Sequence, residues 1–272
     1  MSFQQNNSPE SMSPVTRHPS PTVAAVIITK NEENNIAACL ESVRWANERI
    51  VVDACSTDRT VEIAKDAARV FVRPWPGYGP QKNFGMDQAQ TEWILIVDAD
   101  ERITPELRDE IQSVVAAGPD DDIGGFEIPR RNFFYGEWIR AGGMYPDHQI
   151  RLIRRTAARY DDVLLHERLD VRGRIARLSQ PMDHHSMPTV RHHVRKMMRY
   201  TTLGAQEKLK SQGRVSALDL AGNHLGTVLK TVFLRRGYRD GTAGLIVALF
   251  AGMHTFVKYA KAWEILNVKR DK

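Results

Sequence analysis

An unbroken apolar run, Val23-Ala24-Ala25-Val26-Ile27-Ile28, gives way at once to the polar series Thr29-Lys30-Asn31-Glu32-Glu33-Asn34. A run without polar alternation reads as a strand buried on both faces. The period then changes. Ile36, Leu40 and Val43 recur at i, i+4 and i+7, the apolar stripe of a helix. Ile50-Val51-Val52 is a second strand, ending at Asp53. Ser56, Thr57 and Asp58 are N-cap candidates for a helix through Val61, Ala64 and Ala68. Val70-Phe71-Val72 is a short third strand. A loop with Pro74, Pro76, Gly77, Gly79 and Pro80 follows, and residues 81–90 read as helix. The fourth strand, 93–97, ends in Asp98-Ala99-Asp100-Glu101. Thr104-Pro105 then opens a helix, with Thr as cap, Pro at the first position and Leu107, Ile111 and Val114 as inner stripe.

This alternation predicts an α/β fold, a Rossmann-like, mostly parallel sheet with helices on both faces. From about residue 118 the pattern breaks. Asp120-Asp121-Asp122 and Gly124-Gly125 make a turn, and strand-like pieces follow at 126–128 and 149–153. Phe133, Phe134, Tyr135, Trp138, Gly142, Gly143 and Tyr145 lie between them, a composition that suits sugar rings and loops closing over a ligand, or an ordinary subcore. Helices are expected over 188–212, 214–234 and 242–266. The charge-free run Thr242 to Val257 is shorter than the ~20 residues needed to span a bilayer. The expectation is a helix at the membrane interface or on its own domain, with Lys258, Tyr259, Lys261 and Trp263 at head-group level.

The boundaries expected are therefore a disordered tail over 1–21, rich in Ser, Pro, Asn and Gln, an α/β domain over 22–185, and a basic helical region over 186–272. The tail lacks the apolar core of a signal peptide. Two cysteines, Cys39 and Cys55, give neither a disulfide framework nor a zinc spacing and fit a reducing compartment. The net charge of +5 conceals an asymmetry: residues 186–272 carry 16 Lys/Arg and 5 Asp/Glu, or +11, which leaves −6 for the rest. A basic, partly apolar tail suits an anionic surface.

Candidate chemistry gathers at one sheet edge. Three of the four strands end in polar or acidic residues: Thr29 to Glu32, Asp53, and Asp98 to Asp100. Open α/β sheets bind ligands there. If the backbone stays extended, Asp98 and Asp100 share a face. Two such carboxylates repel unless a cation lies between them. Mg²⁺ or Mn²⁺ completed by substrate phosphates is the economical answer. No G-x-G-x-x-G follows the first strand and no Walker A sequence is present, so phosphate falls to metal and cationic side chains.

The order of Val26-Ile27-Ile28-Thr29-Lys30-Asn31-Glu32-Glu33, Val51-Val52-Asp53-Ala54-Cys55-Ser56-Thr57-Asp58-Arg59-Thr60, Gln81-Lys82-Asn83 and Val97-Asp98-Ala99-Asp100-Glu101 resembles the family 2 glycosyltransferases, whose fold is GT-A. Arg73-Pro74-Trp75, Ile128-Pro129-Arg130-Arg131-Asn132, Tyr145-Pro146-Asp147-His148-Gln149-Ile150-Arg151-Leu152 and Leu165-His166-Glu167-Arg168 are most similar to its lipopolysaccharide core group. The resemblance implies a metal-dependent, inverting enzyme that moves a sugar from a nucleoside diphosphate donor, UDP-glucose being the first guess. It implies that Glu32 and Asp53 hold the nucleoside with Thr29 and Asn31, that Lys82 lies near the diphosphate, and that Asp98 and Asp100 form the metal pair, Asp100 the better ligand. Cys55 stands where glycine is usual and Ala54 where an acid often stands.

An inverting transfer needs a base opposite the leaving group. Glu167 is the first choice and Asp147 the runner-up. His184 falls where related enzymes place a late histidine near metal or phosphate. The expected acceptor is a lipid-linked, phosphorylated envelope glycan, the expected location the cytoplasmic, inner face of the cell membrane, reached through the C-terminal region. Nucleic acid is not an expected partner. The competing readings are a catalytically silent nucleotide-sugar-binding module and a transferase acting on another lipid-linked or protein acceptor. A nucleotidyltransferase would want a glycine-rich basic loop after the first strand, and Thr29 to Asn34 is not one.

Overall fold

The computed structural model describes residues 22–161, 168–212 and 215–268. The tail expected over 1–21 lies outside them. Four β-α units open the chain: β1 (Val23–Thr29), α1 (Ile36–Ser42), β2 (Glu48–Asp53), α2 (Thr60–Lys65), β3 (Arg69–Val72), α3 (Tyr78–Asp87) and β4 (Trp93–Asp98), then after a short strand β5 (Glu101–Ile103) the helix α4 (Pro105–Ala117). The parallel half of the sheet runs β3-β2-β1-β4. Strand order reverses direction about β1, so the carboxyl ends of β1, β2 and β4 border a topological switch point.

Alternation along β1 divides the core. Val23, Ala25 and Ile27 face Ile36, Leu40, Leu107 and Ile111, while Ala24, Val26 and Ile28 face Met86 and Ile153. The cap of α4 is as expected: the Thr104 hydroxyl accepts the Leu107 N–H at 3.2 Å. Helix α3 begins earlier than the proline-rich sequence suggested. Pro80 sits in its first turn, where no intrahelical N–H is required. At Gly85 this helix touches the sheet so closely that a Cβ would lie 2.5 Å from Val26 Cγ1, which fixes how far Lys82 stands from β4.

The second half is a mixed, mainly antiparallel sheet where the sequence showed only fragments. It contains β6 (Ile123–Phe134), β7 (Glu137–Trp138), β8 (Asp147–Arg154), β11 (Arg174–Arg177) and β12 (Met182–Met187). The sheet continues β4-β8-β6-β12-β5, with β8 antiparallel to β4 and β6, and β12 parallel to β6 and antiparallel to β5. A two-stranded ribbon of β9 (Ala158–Tyr160) and β10 (Leu169–Val171) stands beside it. Strand β12 runs past residue 185, so the basic helical region begins at α5 (Val190–Gln212).

Helix α6 (Ala217–Leu229) continues into a π-helical turn, Lys230–Leu234, and a 3₁₀ turn, Gly237–Asp240, before α7 (Gly241–Asn267). The segment Gly237–Asn267 is long and apolar enough to cross a membrane by length and composition, longer than the charge-free run alone suggested. Its turn docks on the loop after β7: the Arg140 and Ala141 N–H groups donate to the Asp240 carboxylate at 3.1 and 2.8 Å.

Candidate active site

The loops after β1 and β2 are stitched together. Thr29 Oγ1 donates to Asp53 Oδ2 (2.9 Å), and Asp53 Oδ1 accepts the Ser56 N–H (2.8 Å). Asn31 Oδ1 accepts the Thr57 N–H (2.8 Å), and the Glu32 N–H donates to Thr60 Oγ1 (2.7 Å). Lys30 Nζ donates to the Ala54 carbonyl at 2.5 Å. Asp53 is fully buried and takes a further bond from the Ser56 hydroxyl. It holds the two loops in place. Cys55 adopts φ 57°, a left-handed backbone that explains why glycine is the easier residue there. Burial pushes the Glu32 carboxyl up, against the hydrogen bond from Asn35, and the charge of Asp100 raises it further.

The two aspartates of the fourth strand part company. Residues 99 and 100 turn instead of staying extended, so the shared face expected of Asp98 and Asp100 from strand alternation does not form, and the two carboxylates take different protein partners. Arg151 Nη2 donates to Asp98 Oδ2 at 2.7 Å, and Lys82 Nζ stands 3.9 Å from Asp98 Oδ1. Burial opposes ionisation of Asp98, but Arg151 and Lys82 override it and hold the carboxyl well below the usual range. The same Arg151 nitrogen reaches Glu101 Oε1 (2.5 Å), and Glu101 Oε2 accepts the Asp98 N–H (2.9 Å).

Asp100 faces a histidine instead. Its Oδ2 lies 3.3 Å from His184 Nε2. The pairing of β5 with β12 sets this, because His184 is in register with Glu101, and the His185 N–H donates to the Asp100 carbonyl at 2.8 Å. On the far side of the ring His184 Nδ1 is 2.7 Å from Asn132 Oδ1. The Asn132 amide cannot be turned round, since its Nδ2 donates to the Met144 carbonyl (3.0 Å) and to Asp147 Oδ2 (3.2 Å). Nδ1 therefore carries the proton, and in the neutral ring the Nε2 lone pair is aimed at a carboxylate. Two acceptors 3.3 Å apart, the histidine fixed from behind by an amide, could supply two of the ligands to a divalent cation. Burial raises the Asp100 carboxyl, yet with a proton on Nε2 in place of a cation the His184 ring donates to it and, with its charge, brings it below the ordinary value. Among the described residues no group of three His, Cys, Asp or Glu side chains could hold a metal, so the remaining ligands would be substrate and water.

Asp147 is taken up by protein. Arg130 Nε and Nη2 donate to its Oδ2 at 2.9 and 2.6 Å, and Gln149 Nε2 to its Oδ1 at 2.8 Å. Burial raises its carboxyl, but Arg130, Asn132 and Gln149 together depress it. A general base titrates near the working pH and offers a free lone pair. Asp147 is held below the ordinary carboxylate value and its Oδ2 takes three donors, which weighs against it as base, although its Oδ1 accepts only from Gln149. Glu167 lies outside the described residues. Its neighbour Arg168 is anchored: the Arg168 N–H donates to Asp161 Oδ1 at 3.0 Å, and the Asp161 carbonyl crowds Gly79 at the start of α3. Arg151, Glu101 and Asn132 were not singled out for a role in the sequence. The signal was there for Arg151, a cation set between Ile150 and Leu152 in the apolar stretch of its strand.

The likenesses to known proteins agree with this geometry. Residues 24–168 match the family model for Glycosyl transferase family 2. The chain is 30% identical over 250 residues to the lipopolysaccharide core biosynthesis glycosyltransferase LpsC of Rhizobium meliloti, covering 89% of this chain and 92% of that one. It is 32% identical over 260 residues to an uncharacterized glycosyltransferase of Rickettsia typhi, covering 92% and 89% respectively. Among solved structures it is similar to the mannosyltransferase PcManGT of Pyrobaculum calidifontis in complex with GDP-Man and Mn²⁺. There the TM-score is 0.50 at 15% identity, over 97% of this chain and 92% of that one.

Proposed function

Because this chain belongs to glycosyl transferase family 2, with the GT-A fold, we propose that it transfers a hexose with inversion from a nucleoside diphosphate donor, UDP-glucose first among candidates, to a lipid-linked glycan of the lipopolysaccharide core. The observation that carries the reading is the Asp100–His184 pair at the carboxyl edge of the sheet, backed by Asn132. Mg²⁺ or Mn²⁺ would be held there, and when bound it supplies positive charge to the departing diphosphate. The chain's own residues do the rest. The stitched loops of Thr29, Asn31, Glu32 and Asp53 shape the nucleoside pocket. Lys82, with its ammonium 5.0 Å from the Tyr160 ring centroid, adds charge on the diphosphate side. Glu167 remains the first choice of base.

The test is a panel of UDP-, GDP- and CMP-linked sugars with Mn²⁺, read by thermal stabilisation and by hydrolysis. A ligand at a hundredfold excess over Kd stabilises by about 2.7 kcal/mol, a readily measured rise in Tm. One base class should stabilise and its release should require the cation. Silence across the whole panel would reject the donor reading.

Apolar side chains left in water support the membrane part of the proposal. Phe233, Leu234 and Tyr238 are 63%, 79% and 58% exposed at the turn between α6 and α7, beside the exposed Lys230, Arg235, Arg236 and Arg239. Leu225 and Leu229 on α6, and Leu245, Leu249, Met253 and Phe256 on α7, extend the apolar face. Contiguous exposure of this kind marks an interaction surface, and its basic rim suits anionic head groups. The full chain should sediment with vesicles containing anionic phospholipid. Phe233→Ser with Leu234→Ser should lower the bound fraction at least about threefold without moving Tm, since both side chains already stand in water. Equal binding by the double variant would refute docking through this turn.

A further inference from the structure

Resting on the donor reading above, we infer that helix α5 is a cationic roof over the donor site, in which Lys196 binds the β-phosphate of a nucleoside diphosphate. The helix is fixed on its other side. Met197, Thr201 and Ala205 form a buried stripe at i, i+4 and i+8. The His193 ring stacks on Phe250 of α7, with centroids 4.1 Å apart, and its Nδ1 meets the Tyr135 hydroxyl at 2.6 Å. Lys261 of α7 donates to the Met198 carbonyl, Thr201 Oγ1 and Thr202 Oγ1 at 2.6 to 2.9 Å.

With that stripe turned towards α7, the face at 192, 196, 199 and 200 is left for the carboxyl edge of the sheet. Three observations agree on where it lies. Helix α5 starts three residues after β12, the strand that carries His184. Tyr200 lies near Tyr78 at the start of α3 and, after burial, helps to hold that phenol above its ordinary value, so the roof meets the helix that carries Lys82. The charge of Lys196 is felt by both Glu32 and Asp100, and Asp100 in turn by His192.

The charges already matched around the site explain why this lysine matters. Arg151 is bound to Asp98 and Glu101, Arg130 to Asp147 and Glu101, and Arg131 to Asp183. Lys82 faces Asp98. Lys196 reaches no carboxylate at ion-pair distance among the described residues, while remaining only half-exposed. A diphosphate arriving at Asp100 and His184 brings negative charge into a cleft that already holds Glu32, Asp98 and Asp100. A partly desolvated ammonium overhead offsets it, and as a point charge on a flexible stem it suits a phosphate oxygen.

The test separates phosphate recognition from nucleoside recognition. UDP, UMP, GDP and GMP are titrated calorimetrically, with Mn²⁺ present, into wild type, Lys196→Gln and Lys196→Arg. Wild type should prefer one diphosphate to its monophosphate. Lys196→Gln should lose about tenfold in affinity for that diphosphate, roughly 1.4 kcal/mol, with the monophosphate unchanged, and Lys196→Arg should keep most of the affinity. Unchanged diphosphate binding in Lys196→Gln, or an equal loss for the monophosphate, would overturn the assignment while leaving the donor reading intact. Wild type indifferent to all four nucleotides would bring down that reading and the inference with it. Lys196 lies on a helix surface, and equal Tm values among the three proteins guard against a folding artefact.

Discussion

Replacing Asp100 with alanine is expected to reduce sugar transfer by roughly a thousandfold and to abolish its dependence on divalent cation, while leaving the fold at least as stable as before. The activity loss follows from the size of a lost electrostatic stabiliser in a desolvated site, about 3–4 kcal/mol of transition-state energy. The stability outcome follows from the neighbours. Asp100 has Asp98 beside it, and its charge helps to hold the Glu32 carboxyl above the usual range, after burial itself. Removing it relieves like-charge repulsion at two places and costs only the contact with His184. His184→Ala should share the loss of cation dependence, because the two side chains act as one ligand set. Asp98→Asn should behave differently, since Asp98 is bound to Arg151 and Lys82: its turnover should keep the wild-type cation dependence. The checks are initial rates against Mn²⁺ concentration and thermal melts on each variant. Near-normal, cation-dependent transfer by Asp100→Ala would refute the role given to the pair.

The parts of the molecule that could be read from residues are those built from local periodicity. The runs at Val23, Ile50, Val70 and Ile94 each lie in a strand, and the stripes of α1 and α4 begin where spacing put them, though Val43 falls just past the end of α1 and Val115 takes the buried place expected of Val114. The polar strand ends meet at one edge because all four strands run parallel. What periodicity could not show is long-range pairing. Strand β6 contains Gly124, Gly125, Pro129 and two arginines, and β12 alternates Met, His and Ser. Neither resembles an apolar run, because each is covered on one face only or borders the site. The pairing of β12 with β5 is the step that brings His184 to Asp100 across more than eighty residues of chain. The extended D-x-D geometry failed for a related reason. A turn at residues 99 and 100 reverses the chain so that β5 can form, which hands Asp98 to β8 and Asp100 to β12. Buried charge also hides from hydropathy, and Glu101 and Arg151 are nearly or fully buried, at 0% and 4% exposure.

That buried pair carries the largest expected change in stability. Arg151→Met should destabilise the fold by about 3 kcal/mol at neutral pH, the lower end of what breaking a buried ion pair costs. The lower end applies because Arg130 Nη1 still reaches Glu101 Oε1 at 3.2 Å, and because the Asp98 side chain keeps 32% exposure and its neighbour Lys82. The pH dependence gives the sharper test. In wild type Arg151 and Lys82, against the opposing effect of burial, hold the Asp98 carboxyl below its unfolded value. That stabilisation is present above the ordinary carboxylate pKa, about 3.9, and is lost only as pH falls towards the depressed value. Without the guanidinium the Asp98 carboxylate loses the main cation that offset its burial, and it takes up a proton more readily on folding. Its cost is then full at neutral pH and recedes as acid protonates it. The gap between variant and wild type should accordingly narrow as pH falls from 7 towards about 4.5, measured as urea unfolding at each pH. Adding Glu101→Gln to Arg151→Met should recover part of the loss at pH 7, because it removes the more deeply buried of the two orphaned charges. A gap that stays constant with pH, or a double variant no better than the single, would show that packing of the arginine stem supports this strand, and that its charge does not.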